Sequence, residues 1–134
     1  MRRRALSLIR VRTKPGSPTR GILLAGPRAM PVVLGRGGIR ANKFEGDGAT
    51  PRGRFRLVRL WWRADRPPHD QLYDFIIEID HNTRPRIAGR GSAVFVHLAR
   101  PNRSPTAGCV ALAPKDLQRL LAALGPQTRI AVEL

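Results

Sequence analysis

The chain has 134 residues, room for about one domain of ordinary size. Its 25 basic residues stand against 9 acidic ones, a formal net charge of +16, and since lysine occurs only at Lys14, Lys43 and Lys115 the other 22 cations are arginines. That balance favours solubility and attraction to anions but says nothing about fold. A hydrophobic fraction of 42 % argues against global disorder, and a single cysteine excludes an internal disulfide framework or a cysteine zinc cluster. No apolar run approaches the ~20 residues of a membrane span.

The N-terminus begins with basic residues, but the apolar stretch after Arg4 is broken at Arg10. That is short of the roughly 7–15 apolar residues of an export signal. The expectation is therefore that the chain, as written, carries no convincing signal. Residues 5–13 alternate weakly and predict an edge strand. Residues 13–20, with two prolines and a glycine, predict a turn or short linker. Ile22–Ala25 and Pro31–Leu34 are short apolar runs bounded by Gly or Pro and predict strands. Residues 35–53 are rich in glycine and charge and predict a long loop.

From Gly53 to Trp62 the alternation predicts a strand, with Phe55 and Leu57 on one face and Arg54 and Arg56 on the other. Pro67 and Pro68 mark a loop. Leu72 to Asp80 predicts a strand with Tyr73, Phe75, Ile77 and Ile79 sharing a face. Ser92 to Leu98 predicts another, with Ala93, Phe95 and His97 on one side. Leu117, Leu120, Leu121 and Leu124 fall at i, i+3, i+4 and i+7, so a helix is predicted over 114–124, opened by Pro114 and stopped by Gly125 and Pro126. A last strand runs from Thr128 to Glu133. Many short strands with one helix predict a mainly β (α+β) fold, a sandwich or barrel carrying a packed helix.

Cys109 follows Gly108 and precedes this helix, and His97 closes a predicted strand twelve positions earlier. A thiolate attacks carbonyls, and an imidazole can take the thiol proton and later protonate a leaving amine. Gly108 allows close backbone approach, so neighbouring N–H groups are candidate oxyanion donors. The plain alternative is a small, inert core cysteine. His69 and His81 read as loop residues. Three scattered histidines and one cysteine form no metal-ligand spacing, so neither a metal nor another cofactor is expected.

The C-terminal half resembles the L,D-transpeptidase (YkuD) catalytic-domain family, the cysteine peptidoglycan transpeptidases. The resemblance rests on Phe95-Val96-His97, then Thr106-Ala107-Gly108-Cys109-Val110-Ala111-Leu112, the helix from Pro114, and Gly125 to Ile130. Upstream, Thr50-Pro51-Arg52-Gly53-Arg54-Phe55 looks like the family's Thr-Pro-x-Gly-x-Phe segment, so the motifs cover roughly 30–134. Three positions depart from the pattern. Ala107 stands where the family has His, Ala111 where it often has Arg or Asn, and Leu98 where many members have Gly or Ser. The loop between His97 and Cys109 is also shorter than the family's usual one.

The resemblance implies a YkuD-like barrel or sandwich in a single catalytic domain, with residues 1–20 as edge strand and linker. It implies that the Cys109 thiolate forms an acyl-enzyme with a stem peptide, His97 acting as base and acid and the Gly108–Cys109 backbone holding the oxyanion. Thr106 and Ala107 would border the pocket, and Arg90, Arg100 and Arg103 are candidates to capture substrate carboxylates. Passing the acyl group to an amine of a neighbouring stem makes a cross-link, the expectation for an envelope or periplasmic enzyme. Water as acceptor would make an L,D-carboxypeptidase, acting in the cytoplasm on muropeptides. A nucleic-acid-binding role for the charge is disfavoured by the 5 % aromatic content and by arginines spread along the chain.

Overall fold

The computed structural model describes residues 5–62, 75–81, 88–89, 94–100 and 102–133. Among the described residues ten strands and one helix are formed: β1 (Leu8–Lys14), β2 (Ser17–Ala25), β3 (Arg28–Val33), β4 (Ile39–Arg40), β5 (Thr50–Pro51), β6 (Gly53–Trp62), β7 (Phe75–Ile79), β8 (Val94–Leu98), β9 (Val110–Leu112), α1 (Pro114–Ala123) and β10 (Arg129–Glu133). Eight of them close a barrel in the order β1-β10-β6-β7-β8-β9-β3-β2, and β4 pairs with β5 as a separate two-stranded piece. Two joins in the barrel are parallel, β1 with β10 and β8 with β9.

The predicted edge strand at the N-terminus is not an edge. β1 lies between β10 and β2, with Leu8 opposite Arg129 and Arg12 opposite Glu133. Local alternation reports which residues point inward; it cannot report a partner some 120 residues away. The predicted linker over 13–20 is likewise mostly strand. Pro15 and Gly16, with Gly16 at φ 79°, turn the chain tightly between β1 and β2.

The barrel interior is apolar. Ile9, Val11, Leu23, Leu34, Ile79, Val96, Val110, Leu112, Ile130 and Val132 are all buried in one core cluster. Each such side chain contributes about 1.5–3 kcal/mol relative to exposure. The helix places Leu117 and Leu120 in this core, with Leu121 and Leu124 packed against it. It ends one residue before the predicted stop, at Ala123, with Leu124 as its cap. The segment after the helix is tied to the N-terminus. Buried Thr128 accepts from the Gly125 N–H (2.9 Å) and donates to the Leu6 carbonyl (2.5 Å), and the Arg129 N–H donates to the Ser7 carbonyl (2.9 Å).

The predicted strands at 53–62 and in the 72–80, 92–98 and 128–133 windows are present, the last three shorter than their windows among the described residues. Alternation announced neither β4 and β5, which pair within the predicted loop over 35–53, nor β9. At three residues it is too short to show a period, yet it carries the chain from the candidate nucleophile into the barrel.

Candidate active site

β8 and β9 run parallel, with Val96 opposite Val110, His97 opposite Ala111 and Leu98 opposite Leu112. Val94, Val96, Leu98, Val110 and Leu112 point into the core. Successive side chains on a strand alternate in direction, so His97 and Ala111 belong to the opposite, outer face. Cys109 stands one residue before β9, in the turn that leads into it, and its thiol meets the Phe95 backbone N–H of β8.

Both groups are largely buried, and burial acts on each. It pushes the Cys109 thiol above its ordinary value, against the Phe95 backbone N–H and the Lys43 ammonium, which favour the thiolate. It pushes His97 below its ordinary value, Arg100 adding to the effect and the Leu98 carbonyl opposing it. Burial thus favours the neutral form of each group. The imidazole tautomer follows from one contact. Nδ1 lies 2.7 Å from the Leu98 carbonyl, which can only accept, so Nδ1 carries the hydrogen and Nε2 keeps a lone pair for a proton.

The turn that presents Cys109 is built around Thr106. Its hydroxyl donates to the Cys109 carbonyl (2.6 Å) and accepts the Gly108 N–H (3.0 Å). Its backbone bridges to the strand end after β3, receiving the Arg36 N–H (2.9 Å) and donating to the Leu34 carbonyl (3.0 Å). Gly108 sits at φ 137°, and a Cβ there would come 2.7 Å from the Ala49 carbonyl oxygen. Only glycine fits both the backbone angle and the space.

Ala49 belongs to the glycine-rich upstream segment, which packs under the nucleophile's turn. Thr50 Oγ1 accepts the Gly35 N–H (2.9 Å), and a Cβ on Gly35 would lie 3.0 Å from the Gly108 Cα. Within the same segment Lys43, 7 % exposed, meets Asp47 at 3.0 Å. Burial works against the Asp47 charge, but the Phe44 and Ala49 N–H groups and the Lys43 ammonium overcome it and bring the carboxyl from 3.8 down to about 2. The Lys43 ammonium lies 3.6 Å from where a Gly108 Cβ would stand.

Of the residues singled out from the sequence, Thr106, Gly108 and Cys109 share one hydrogen-bonded turn, and His97 lies on the strand that pairs with β9, which follows that turn. Ala107 is exposed beside them. Arg100 and Arg103 follow β8 in one turn, the Arg103 N–H donating to the Arg100 carbonyl (2.8 Å). Arg90 and His69 lie outside the described residues. His81 packs edge-on against Phe55, ring centroids 5.9 Å apart, a structural contact. Sequence reasoning missed Lys43 and Asp47. Their i, i+4 spacing in a glycine-rich segment was the signal available, and it gave no hint of burial.

The family model of the L,D-transpeptidase catalytic domain (YkuD) matches residues 25–132, which include His97 and Cys109. The chain belongs to that family. Among solved structures it is similar to the helical cell shape determining protein Pgp2 of Campylobacter jejuni, at 18 % identity and TM-score 0.54 over 93 % of this chain and 47 % of that one. It is similar to Bd1075 of Bdellovibrio bacteriovorus at 16 % identity and TM-score 0.56, covering 93 % of this chain and 47 % of that one. It is also similar to L,D-transpeptidase 1 of Mycobacterium tuberculosis at 17 % identity and TM-score 0.54, over 92 % of this chain and 58 % of that one. The chain thus spans about half the length of these proteins. No curated protein matches it. Among the described residues no helix is long and apolar enough to cross a membrane.

Proposed function

We propose that the protein is a cysteine acyltransferase of the L,D-transpeptidase type, acting on peptidoglycan stem peptides at the cell envelope. Family membership supports the class of reaction and substrate. One observation carries the assignment of roles: the Nδ1–H bond to the Leu98 carbonyl leaves Nε2 as the basic nitrogen of a histidine whose strand pairs with the one Cys109 leads into. Nε2 takes the thiol proton as the thiolate attacks a peptide carbonyl. The tetrahedral intermediate collapses to a thioester, and His97 gives the proton to the departing amine. The neutral forms that burial favours suit this order, because the charge pair forms only as attack begins. The Gly108 N–H is held by Thr106 at 3.0 Å, so the Cys109 N–H is the stronger oxyanion candidate and Gly108 acts chiefly by giving the turn its shape.

The acyl group then passes to an amine of a second stem, making a cross-link, or to water. Ala107 and Ala111 replace larger polar side chains of the family pattern and widen the approach to the thioester. Incubation with a tetrapeptide muropeptide, with and without an acceptor stem, followed by mass analysis separates the two fates. Cross-linked product is expected with the acceptor; tripeptide alone would assign the enzyme to hydrolysis. A carbapenem is expected to add its mass to Cys109 and not to a Cys109→Ala variant. Activity surviving in that variant would overturn the proposal.

A further inference from the structure

Strand register sets four residues in a row. Arg20 on β2 pairs with Val33 on β3, Val33 with Ala111 on β9, and Ala111 with His97 on β8. Paired residues point to the same face, so the row runs along the outer face of the barrel from the imidazole to an arginine, with Val33 and Ala111 buried between them. With strands ~4.8 Å apart its ends are about 14 Å apart at Cα, a gap the long arginine stem shortens.

A cavity of about 170 Å³ lies along this row, and Val33, Ala111 and Ala99 form part of its wall. Three cations line it: Lys14 and Arg20 from the β1–β2 hairpin, and Arg103 from the loop after β8. All three are exposed, and among the described residues none has a carboxylate partner. Some cations elsewhere are paired: Arg10 and Arg12 share Glu133, Arg119 meets Asp116, and Lys43 meets Asp47. Three like charges around one hollow repel each other and favour an anion between them. The volume is below the ~300 Å³ at which pockets for drug-sized ligands begin, and suits the end of a peptide.

The chemistry orients that end. The leaving amine must reach His97, so the leaving residue lies on the imidazole side of the thiol, and the row leads from there past Ala111 into the cavity. In a C-terminal amino acid the carboxylate sits on the carbon that bears this amine. We propose that the cavity lined by Lys14, Arg20 and Arg103 is a carboxylate subsite for the residue whose amine meets His97. The proposal rests on the acyl-transfer reading above. In the first half-reaction the S–C bond forms, the C–N bond breaks, and the thiol proton passes through His97 to the amine. In the second, the incoming amine forms C–N, S–C breaks, and its proton returns through His97 to sulfur. The incoming amine occupies the place the leaving amine vacated, so the same subsite selects acceptors that carry a carboxylate beside the reacting amine.

The test compares a tetrapeptide donor ending in a free acid with the same peptide ending in an amide. For the wild-type protein, kcat/KM for the amide is expected to fall roughly tenfold or more, mostly through KM. An Arg20→Gln, Arg103→Gln double variant is expected to lower the acid to the level of the amide and leave the amide unchanged. D-alanine against D-alaninamide as acceptor in an exchange assay repeats the comparison for the second half-reaction. Equal use of acid and amide by the wild type, or a preference that survives in the double variant, overturns the subsite and leaves the acyl-transfer reading standing. A wild-type protein that turns over neither donor overturns both.

Discussion

The two faces of the β8–β9 pair, one residue out of step with each other, do different work. Inward, Val94, Val96, Leu98, Val110 and Leu112 are buried among hydrocarbon. Outward stands His97, bonded to the Leu98 carbonyl, and just before β9 stands Cys109, near the Lys43 ammonium. The inner face holds the outer one still. In the proposed reading a dyad needs angular precision that exposed loops do not provide, and here each proposed member is flanked in sequence by a side chain locked in the core. Stability and reactivity are thereby placed in alternate residues, and substitutions can separate them.

The largest separation is expected from Cys109→Ala and Leu112→Ala. The first removes acyl transfer entirely and leaves the melting temperature close to wild type. The second truncates a fully buried side chain and costs about 2–5 kcal/mol, lowering the melting temperature by several degrees with the dyad chemically intact. Thermal melts beside turnover assays on both variants would show whether the faces are independent. His97→Gln comes next, with kcat reduced roughly 10²–10⁴-fold. Cys109 is retained in this variant, so intact-mass analysis with a carbapenem should show slower acylation, not none.

Lys43→Met sharpens the contrast from below. It removes the cation that favours the Cys109 thiolate and leaves Asp47 without its ammonium. The midpoint of iodoacetamide alkylation against pH is expected to move up, and Lys43→Arg to restore it in part. The smallest effects are in stability against pH. His97 titrates below its ordinary 6.5 in the folded protein, so the unfolded chain binds more protons there and stability falls as pH drops below 6.5. Asp47 adds a second loss as pH falls from 3.8 towards about 2, which Asp47→Asn should abolish. Cys109 acts oppositely: its raised value makes stability decline as pH rises above 9.0, a loss absent from Cys109→Ala. Denaturant midpoints across pH would resolve the three.

Alternation and spacing made much of this legible. The inward and outward faces of β6 and β8, the leucine stripe of α1 and the order His97, Gly108, Cys109 were all readable in one dimension. What escaped was non-local. The row from Arg20 to His97 joins four strands whose registers no short window contains, so Arg20 and Lys14 looked like ordinary surface charge. Lys43 escaped for a related reason. Its burial comes from the upstream segment folding beneath the Gly108 turn, and a lysine in a glycine-rich stretch otherwise reads as solvated. The +16 charge is thus not uniform in meaning. Some of its members are paired, one is enclosed beside the nucleophile, and three gather without partners around a hollow on the reactive face.

The parallel pairing of β1 with β10 bears on how the protein is made. Until Arg129–Glu133 has left the ribosome, β1 and β6 both present open edges with no strand between them. Closure waits for β10 to pair with both, a long-range step slowed by the loop it must close. Strand edges left open until then are adhesive. Arg10, Arg12 and Lys14 on β1 and Arg54 and Arg56 on β6 are charges of the kind that blunt such edges.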